Sequence, residues 1–351
     1  MIAVIIAGGS GTRLWPLSTP EYPKHLLKIN GDDRSLLQNT YERAKRLADK
    51  VYVVSETGHI HHVKEQLPEL SEDCFIVEPA RRGTASCIVA SLVHIATRHS
   101  ADEPIAFLSA DHYIRDLEGF VHSFKVACEA ADQQKRLVLV GVEPDYPATG
   151  FGYIQKDSLF DEQKFVFNVH SFKEKPEYKL AKQYVKSGRY LWNCGYFVGS
   201  LNVFTQNMQK HAATMFDDYQ QLLQTVSPKE YEQKYLAFQN NTIDYALIEH
   251  VDNLLVVPAA FDWMDLGSYG DLQQAAGSDE DGNHIDGSGV EINGVENSFI
   301  YNEGHKPLAV IGLDNVVVIN TTSGILVARK DLAQQVGEVS KRFTSPQKGD
   351  I

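Results

Sequence analysis

The chain opens on Ile2-Ala3-Val4-Ile5-Ile6-Ala7, and Gly8-Gly9-Ser10-Gly11 follows without a spacer. An apolar, β-branched run with no polar alternation is a strand covered on both faces, the condition of a parallel sheet between helical layers. The glycines behind it allow a sharp turn at the strand's carboxyl end, where sheets of this kind hold their ligands. Short apolar runs return at 51–54, 74–77, 105–108 and 136–142, and helical stretches separate them at 35–47, 84–95 and 119–131. The alternation predicts an α/β fold with a doubly wound, mostly parallel sheet of Rossmann-like type.

Past residue 145 the pattern loosens into expected strands at 152–155, 166–173 and 196–199 and expected helices at 177–187 and 203–225. A polar, turn-forming stretch at 278–283 reads as a linker. Apolar runs at 298–301, 308–311, 316–319 and 325–328 then recur about every eight to ten residues, as in a small β-rich module. Two domains are expected, a catalytic one over 1–275 and a small β-rich one over 285–351, with a frayed polar tail from residue 340.

With 351 residues, 43% of them hydrophobic, the chain can bury a core of that size. Its formal net charge of −13 shows no clustered basic surface, which argues against a nucleic-acid partner. An acidic chain that takes anionic substrates must concentrate a few cations locally and recruit a divalent metal. Cys74, Cys87, Cys128 and Cys194 form no Cys-x-x-Cys pair and read as buried thiols of a reducing compartment. No apolar run approaches the ~20 residues that span a bilayer. The start lacks the basic lead of a signal peptide, so a cytoplasmic enzyme with no membrane partner is expected.

Five segments carry chemistry. In Ala7-Gly8-Gly9-Ser10-Gly11-Thr12-Arg13-Leu14-Trp15-Pro16 the glycines expose backbone N–H groups to a phosphate, and Arg13 and the later Lys24 supply cations. The loop is neither a dinucleotide fingerprint, since Leu14 stands where the third glycine belongs, nor a Walker A loop, since no Gly-Lys-Ser/Thr follows. Asp111 in Ser109-Ala110-Asp111-His112 ends an internal strand and can hold Mg²⁺ against phosphate, or cap the next turn. Asp265 in Phe261-Asp262-Trp263-Met264-Asp265-Leu266-Gly267-Ser268 is a candidate second carboxylate; alternatively Asp262 or Asp265 is a local cap. In Phe172-Lys173-Glu174-Lys175-Pro176, Glu174 can accept from sugar hydroxyls and Lys175 can hold a phosphate, unless both sit at a solvated strand end. Glu78-Pro79-Ala80-Arg81-Arg82-Gly83-Thr84-Ala85 leads from a strand into a helix, suited to base or phosphate contacts or simply to a helix start near Thr84. His59, His61 and His62 lack metal spacing and read as a solvated helix face. No Gly-x-Ser-x-Gly elbow supports a covalent hydrolase.

These segments, in this order, resemble the mannose-1-phosphate guanylyltransferases, which make GDP-mannose from GTP and mannose 1-phosphate. The likeness covers nearly the whole chain. It includes the loop through Leu17-Ser18, Pro23-Lys24, Phe172 to Pro176, Trp192-Asn193-Cys194-Gly195, Asp262 to Ser268 and the β-rich end. It implies that Ala7, Gly8, Gly9, Gly11 and Thr12 line the nucleotide, with Glu78, Pro79 and Thr84 near guanine. Arg13, Lys24 and Asp111 would be catalytic, and Asp111 and Asp265 would hold Mg²⁺. Gly150, Glu174, Lys175 and Asn193 would position the mannose phosphate. Two positions depart from the family pattern near the nucleotide: Gly83-Thr84-Ala85-Ser86 replaces Asn-Thr-Ala-Pro, and His25-Leu26 replaces Gln-Phe. Some members carry a fused phosphomannose isomerase domain; this sequence ends ahead of it, so one activity is expected. Three matters stay open at this point: a different sugar or base, a non-catalytic binder of nucleotide sugars, and a monomer or homodimer.

Overall fold

The computed structural model describes residues 1–9, 11–29, 33–304 and 306–344. Two compact units divide the chain. One comprises Met1–Ala7, Thr40–Ser109 and Ile114–Trp263; the other comprises Gly8–Asn39, Ala110–Tyr113 and Met264–Ile351.

The first unit is built on nine strands: β1 (Ile2–Ile6), β2 (Lys50–Glu56), β3 (Phe75–Glu78), β4 (Pro104–Ser109), β5 (Val138–Val142), β6 (Gly152–Asp161), β7 (Val166–Lys173), β8 (Tyr190–Ser200) and β9 (Leu255–Pro258). They form one sheet in the order β3-β2-β1-β4-β8-β5-β9-β7-β6. Strands β1 to β4 are mutually parallel and β5 is parallel to β9, while β8 runs against both β4 and β5 and β7 runs against β9 and β6. The sheet is therefore mostly parallel, as expected. The helices in chain order are α1 (Leu36–Leu47), α2 (Ile60–Gln66), α3 (Gly83–Ala96), α4 (Leu117–Gln134), α5 (Tyr178–Ser187), α6 (Leu201–His211), α7 (Ala213–Leu223), α8 (Pro228–Leu236), α9 (Ile243–Ala246), α10 (Tyr269–Ala276) and α11 (Val336–Thr344).

Strand alternation explains the unbroken apolar runs. Ile2, Val4, Ile105, Phe107 and Leu139 pack with Ile88 of α3, Phe204 of α6 and Tyr219 of α7. Ala3, Ile5, Ala106 and Leu108, one residue out of step and so on the other face, are equally buried. Helix α4 lies against β4, β5 and β8 there. The expected helix at 203–225 is two helices: Ala212 leaves helical geometry (φ −144°, ψ 63°), and Met208 before the break and Met215 after it both reach the same core. Burial overrides the helix preference of Ala212-Ala213. The strand expected at 196–199 extends to the whole of β8, buried along most of its length.

In the second unit, β10 (His284–Gly287), β12 (Phe299–Asn302), β14 (Val316–Thr321) and β15 (Gly324–Arg329) form one sheet, and β11 (Val290–Asn293) pairs with β13 (Leu308–Ile311). The apolar run of β14 serves two cores. Val317 and Ile319 pack with Leu14, Leu266 and Tyr269, whereas Val316 and Val318 pack with Val295 and Ile300. The frayed tail expected from residue 340 is corrected over 340–344. That stretch lies in α11, where Ser340 is fully buried and the Phe343 ring stacks on Trp15 at 5.1 Å. Residues 345–351 lie outside the described residues. Among the described residues, no helix is long and apolar enough to cross a membrane.

Candidate active site

The second unit gathers the charged loop residues. Gly9 and Gly11 have φ of 108° and 55°, the left-handed region that glycine tolerates without strain. A Cβ on Gly11 would also stand 2.7 Å from the Lys24 Cβ, so this residue has neither the conformation nor the room for a side chain. Tyr269 on α10 anchors the loop by donating to the Leu14 and Trp15 carbonyls at 2.9 and 2.8 Å. Ser340 on α11 donates to the Thr12 carbonyl at 3.3 Å.

Lys24, buried in a single 3₁₀ turn, places its ammonium between two carboxylates. Nζ stands 2.8 Å from Asp111 Oδ2 and 3.4 Å from Asp265 Oδ1, and it also donates to the Asp265 carbonyl. Arg13 Nη2 is 3.6 Å from Asp265 Oδ2, and His112 Nε2 is 4.0 Å from Asp265 Oδ1. Burial pushes the Asp111 carboxyl up, but Lys24, with smaller help from His112 and His25, brings it down to about 2. Burial likewise opposes the charge on Lys24, and the two carboxylates outweigh it, raising its pKa. Asp111 is therefore anionic at neutral pH. Two carboxylates around one buried cation form a hard-oxygen donor set that Mg²⁺ can use, completing its shell with water and phosphate. Among the described residues, no group of three or more His, Cys, Asp or Glu could hold a metal by itself.

The neighbouring aspartate has a different task. Asp262, in the first unit, accepts from the Arg115 and Asp116 backbone N–H groups at 3.0 and 2.8 Å and from Arg115 Nε at 2.9 Å. Of the two aspartates in this segment, Asp262 is the local tie and Asp265 joins the charged cluster.

A second cluster lies in the first unit. Glu174, at the end of β7, is buried. Its Oε1 pairs with Lys175 Nζ at 3.0 Å, and its backbone N–H donates to Glu249 Oε1 at 3.0 Å. Glu174 Oε2 is buried without a hydrogen-bond partner. A Cβ on Gly152 would fall 2.5 Å from that oxygen, so glycine there leaves it room. Asn193 Nδ2 donates to Asp244 Oδ1 at 2.7 Å, and its Oδ1 accepts from the Gly195 N–H at 3.1 Å. Burial, then Asp244, raises the Glu174 pKa against the pull of Lys175, and burial raises that of Asp244. Gly150 is exposed in the β5–β6 connection, with nothing within 4 Å of where its Cβ would be.

The segment 78–84 is held from below. Burial raises the Glu78 carboxyl to about 7, against a hydrogen bond from Tyr235 on α8. The Glu78 carbonyl accepts from Thr57 N and Oγ1 at 2.9 and 3.0 Å. Gly83 (φ 82°) lies so close to Asn241 that a Cβ would meet its carbonyl oxygen at 2.1 Å. Thr84 Oγ1 accepts from the Ile243 N–H at 2.9 Å. Glycine at position 83 is thus required by this backbone. Pro79 is partly exposed, as is Thr84. The histidine trio only partly matches a solvated face: His61 is exposed, but His59 is buried against Glu56 at 3.0 Å. A 330 Å³ cavity lined by Ala85, Ser86, Met215, Asp218, Asn241 and Tyr245 takes in the end of the 78–86 segment but none of the residues assigned a binding or catalytic role in the sequence.

The nucleotidyl transferase family model matches residues 2–282, and that of the mannose-phosphate isomerase/GMP-like β-helix domain matches 288–343. A mannose-1-phosphate guanylyltransferase of Escherichia coli K12 is 33% identical over 97% of this chain and 73% of its own length. The chain belongs to the mannose-1-phosphate guanylyltransferase family of nucleotidyl transferases. The alginate biosynthesis protein AlgA of Pseudomonas aeruginosa is also 33% identical, over 97% of this chain and 72% of its own. A crystal structure from Thermus thermophilus, described as a mannose-1-phosphate geranyltransferase, superposes with a TM-score of 0.88. It is 27% identical and covers 98% of this chain and 99% of that one.

Sequence reasoning missed Asp244, Glu249 and Tyr235. The polar triplet Asn240-Asn241-Thr242 ahead of the short α9 was an available signal for Asp244. Glu249 and Tyr235 lie in ordinary helical stretches, and only the fold reveals their partners.

Proposed function

We propose that this chain joins GTP and α-D-mannose 1-phosphate into GDP-mannose and diphosphate. The observation that carries the reading is the buried Lys24 held between the partly exposed Asp111 and Asp265 next to the Gly11 turn, in a chain whose relatives are named for this reaction. The catalytic domain is taken as 1–275 and the β-rich domain as 285–351, a division supported by the two family models.

The reaction makes one P–O bond and breaks one. A phosphate oxygen of mannose 1-phosphate attacks the α-phosphorus of GTP, and the α–β bridging oxygen leaves with diphosphate. The attacking phosphate has a second pKa near ~6 and is mostly dianionic at neutral pH, so no protein base has to remove a proton. The barrier is the approach of two anions. Ala7, Gly8, Gly9, Gly11 and Thr12 are assigned to the nucleotide; the Ala7 N–H is taken by the Val54 carbonyl at 2.8 Å, so the backbone donors offered to phosphate are those of the glycine turn beyond it. Arg13 and Lys24 neutralise charge that develops on the transferred group. Asp111 and Asp265 are assigned to Mg²⁺, which supplies charge neutralisation and alignment when bound. Pro79 and Thr84 flank the proposed base position, and Glu78 braces that segment through Tyr235. Glu174, Lys175 and Asn193 are assigned to the sugar phosphate, with Gly150 in the adjoining loop. The unpartnered Glu174 oxygen is an acceptor suited to a hydroxyl. Four buried cysteines in no disulfide fit a reducing compartment, and the cytoplasm is the proposed location.

The test is diphosphate release with Mg²⁺, pairing GTP, ATP, UTP, CTP and dTTP with mannose, glucose and fucose 1-phosphates. The expected result is release confined to GTP with mannose 1-phosphate. Preference for another pair would move the specificity, and no release with any pair from folded protein would overturn the reading.

A further inference from the structure

The position of Lys24 bears on how the metal enters. Its ammonium lies between Asp111 and Asp265, the two carboxylates assigned to Mg²⁺, and bonds to the Asp265 backbone carbonyl as well. The side chain is only 6% exposed. A cation placed between those carboxylates would meet an ammonium already there, in a setting of low dielectric where like charges repel strongly. The Lys24 backbone packs closely on the glycine turn: its nitrogen and Cβ lie 3.0 and 2.7 Å from where a Gly11 Cβ would be. The four-carbon stem beyond Cβ has rotatable bonds through which the ammonium can move. An anion at that turn would draw the ammonium off the carboxylates and leave both free for a divalent ion.

We infer that Lys24 is an internal counter-cation that keeps the Asp111–Asp265 pair closed to free divalent metal until nucleotide phosphates draw it away, so that metal and nucleotide load together. This rests on the proposed metal role of those two aspartates. Lys24 thereby serves twice, as a gatekeeper in the free protein and as a phosphate cation in the complex. Arg13, at 3.6 Å from Asp265 and about half exposed, does not close the pair in the same way.

The experiment is a titration with Mn²⁺, read by its electron paramagnetic resonance signal, on wild type, Lys24→Met and Lys24→Met/Asp111→Asn, each without nucleotide. Wild type is expected to bind Mn²⁺ poorly. Lys24→Met should bind roughly 10²-fold more tightly, since removing the ammonium leaves two adjacent carboxylates without their shared counter-cation, and the double variant should lose that gain. Mn²⁺ should also raise the melting temperature of Lys24→Met and leave that of wild type unmoved. Should Lys24→Met fail to fold, Lys24→Gln serves, and wild type decides by itself: tight binding of Mn²⁺ alone overturns the inference. Equal affinities in wild type and Lys24→Met also overturn it. Repeating the titration with a non-hydrolysable GTP analogue separates the two layers. Asp111-dependent binding of the Mn²⁺–nucleotide complex, together with no gain for Lys24→Met in the nucleotide-free titration, refutes the gate and keeps the metal site. Binding indifferent to Asp111 refutes the metal site itself.

Discussion

The Lys24 cluster and the Glu174 cluster both set carboxylates beside a lysine, and they treat them in opposite ways. In the first, burial is outweighed by cations, so Asp111 is held well below the usual range. In the second, Lys175 is present but burial and Asp244 win, so Glu174 is shifted upward and keeps one oxygen unpartnered. Charge already matched to charge suits the exchange of one cation for another. A carboxylate short of partners suits neutral hydroxyl donors, which bring hydrogen bonds without bringing charge. On the proposed function, the contrast matches the first cluster to phosphates and metal and the second to the sugar.

The comparison breaks hardest at the charged cluster. Asp111→Ala and Lys24→Ala should each lower turnover by about 10²-fold or more while circular dichroism shows an intact fold, as expected when a contact to transition-state charge is lost. Near-native turnover in either would remove that residue from the chemistry. The next effect concerns stability. Glu78 rises from 4.5 to about 7 on folding, so the native state keeps its proton longer than the unfolded chain. Its contribution to stability is complete below pH 4.5 and is lost as the pH climbs to about 7, a change of roughly 3 kcal/mol. Glu78→Gln should remove this slope, so that urea unfolding at pH 5 and pH 7 shows the variant gaining on wild type at the higher pH. The smallest effect belongs to Asp262. Asp262→Ala should cost about 1 kcal/mol or less, because water can replace it on the N–H donors of the exposed Arg115 and Asp116, with kcat within a few-fold of wild type. A large loss of kcat instead would blur its distinction from Asp265.

Legibility in the sequence followed the range of the signal. The Gly8–Arg13 loop, Lys24 behind a proline, and Asp111 two residues past β4 are marked by their immediate neighbours, and these residues do converge. The strands of the parallel core were readable because each is a continuous apolar run. Asp244 was not readable, since its contact with Asn193 joins positions 51 residues apart. Nor was the Glu78–Tyr235 bond, which joins positions 157 apart. The α11 helix was hidden by its composition: Ser340 and Phe343 look like parts of a polar tail until Thr12 and Trp15 supply their partners. The division at Ala212 was hidden for a related reason, because a good helix former gave way to the packing of Met208 and Met215.

The division of labour between the two clusters is tested most directly by initial-rate kinetics of Glu174→Gln with GTP and mannose 1-phosphate varied separately. The account predicts a KM for mannose 1-phosphate raised about tenfold, the worth of one charge-assisted hydrogen bond, with the KM for GTP unchanged. A KM for GTP that moves as much as that for the sugar phosphate would contradict it.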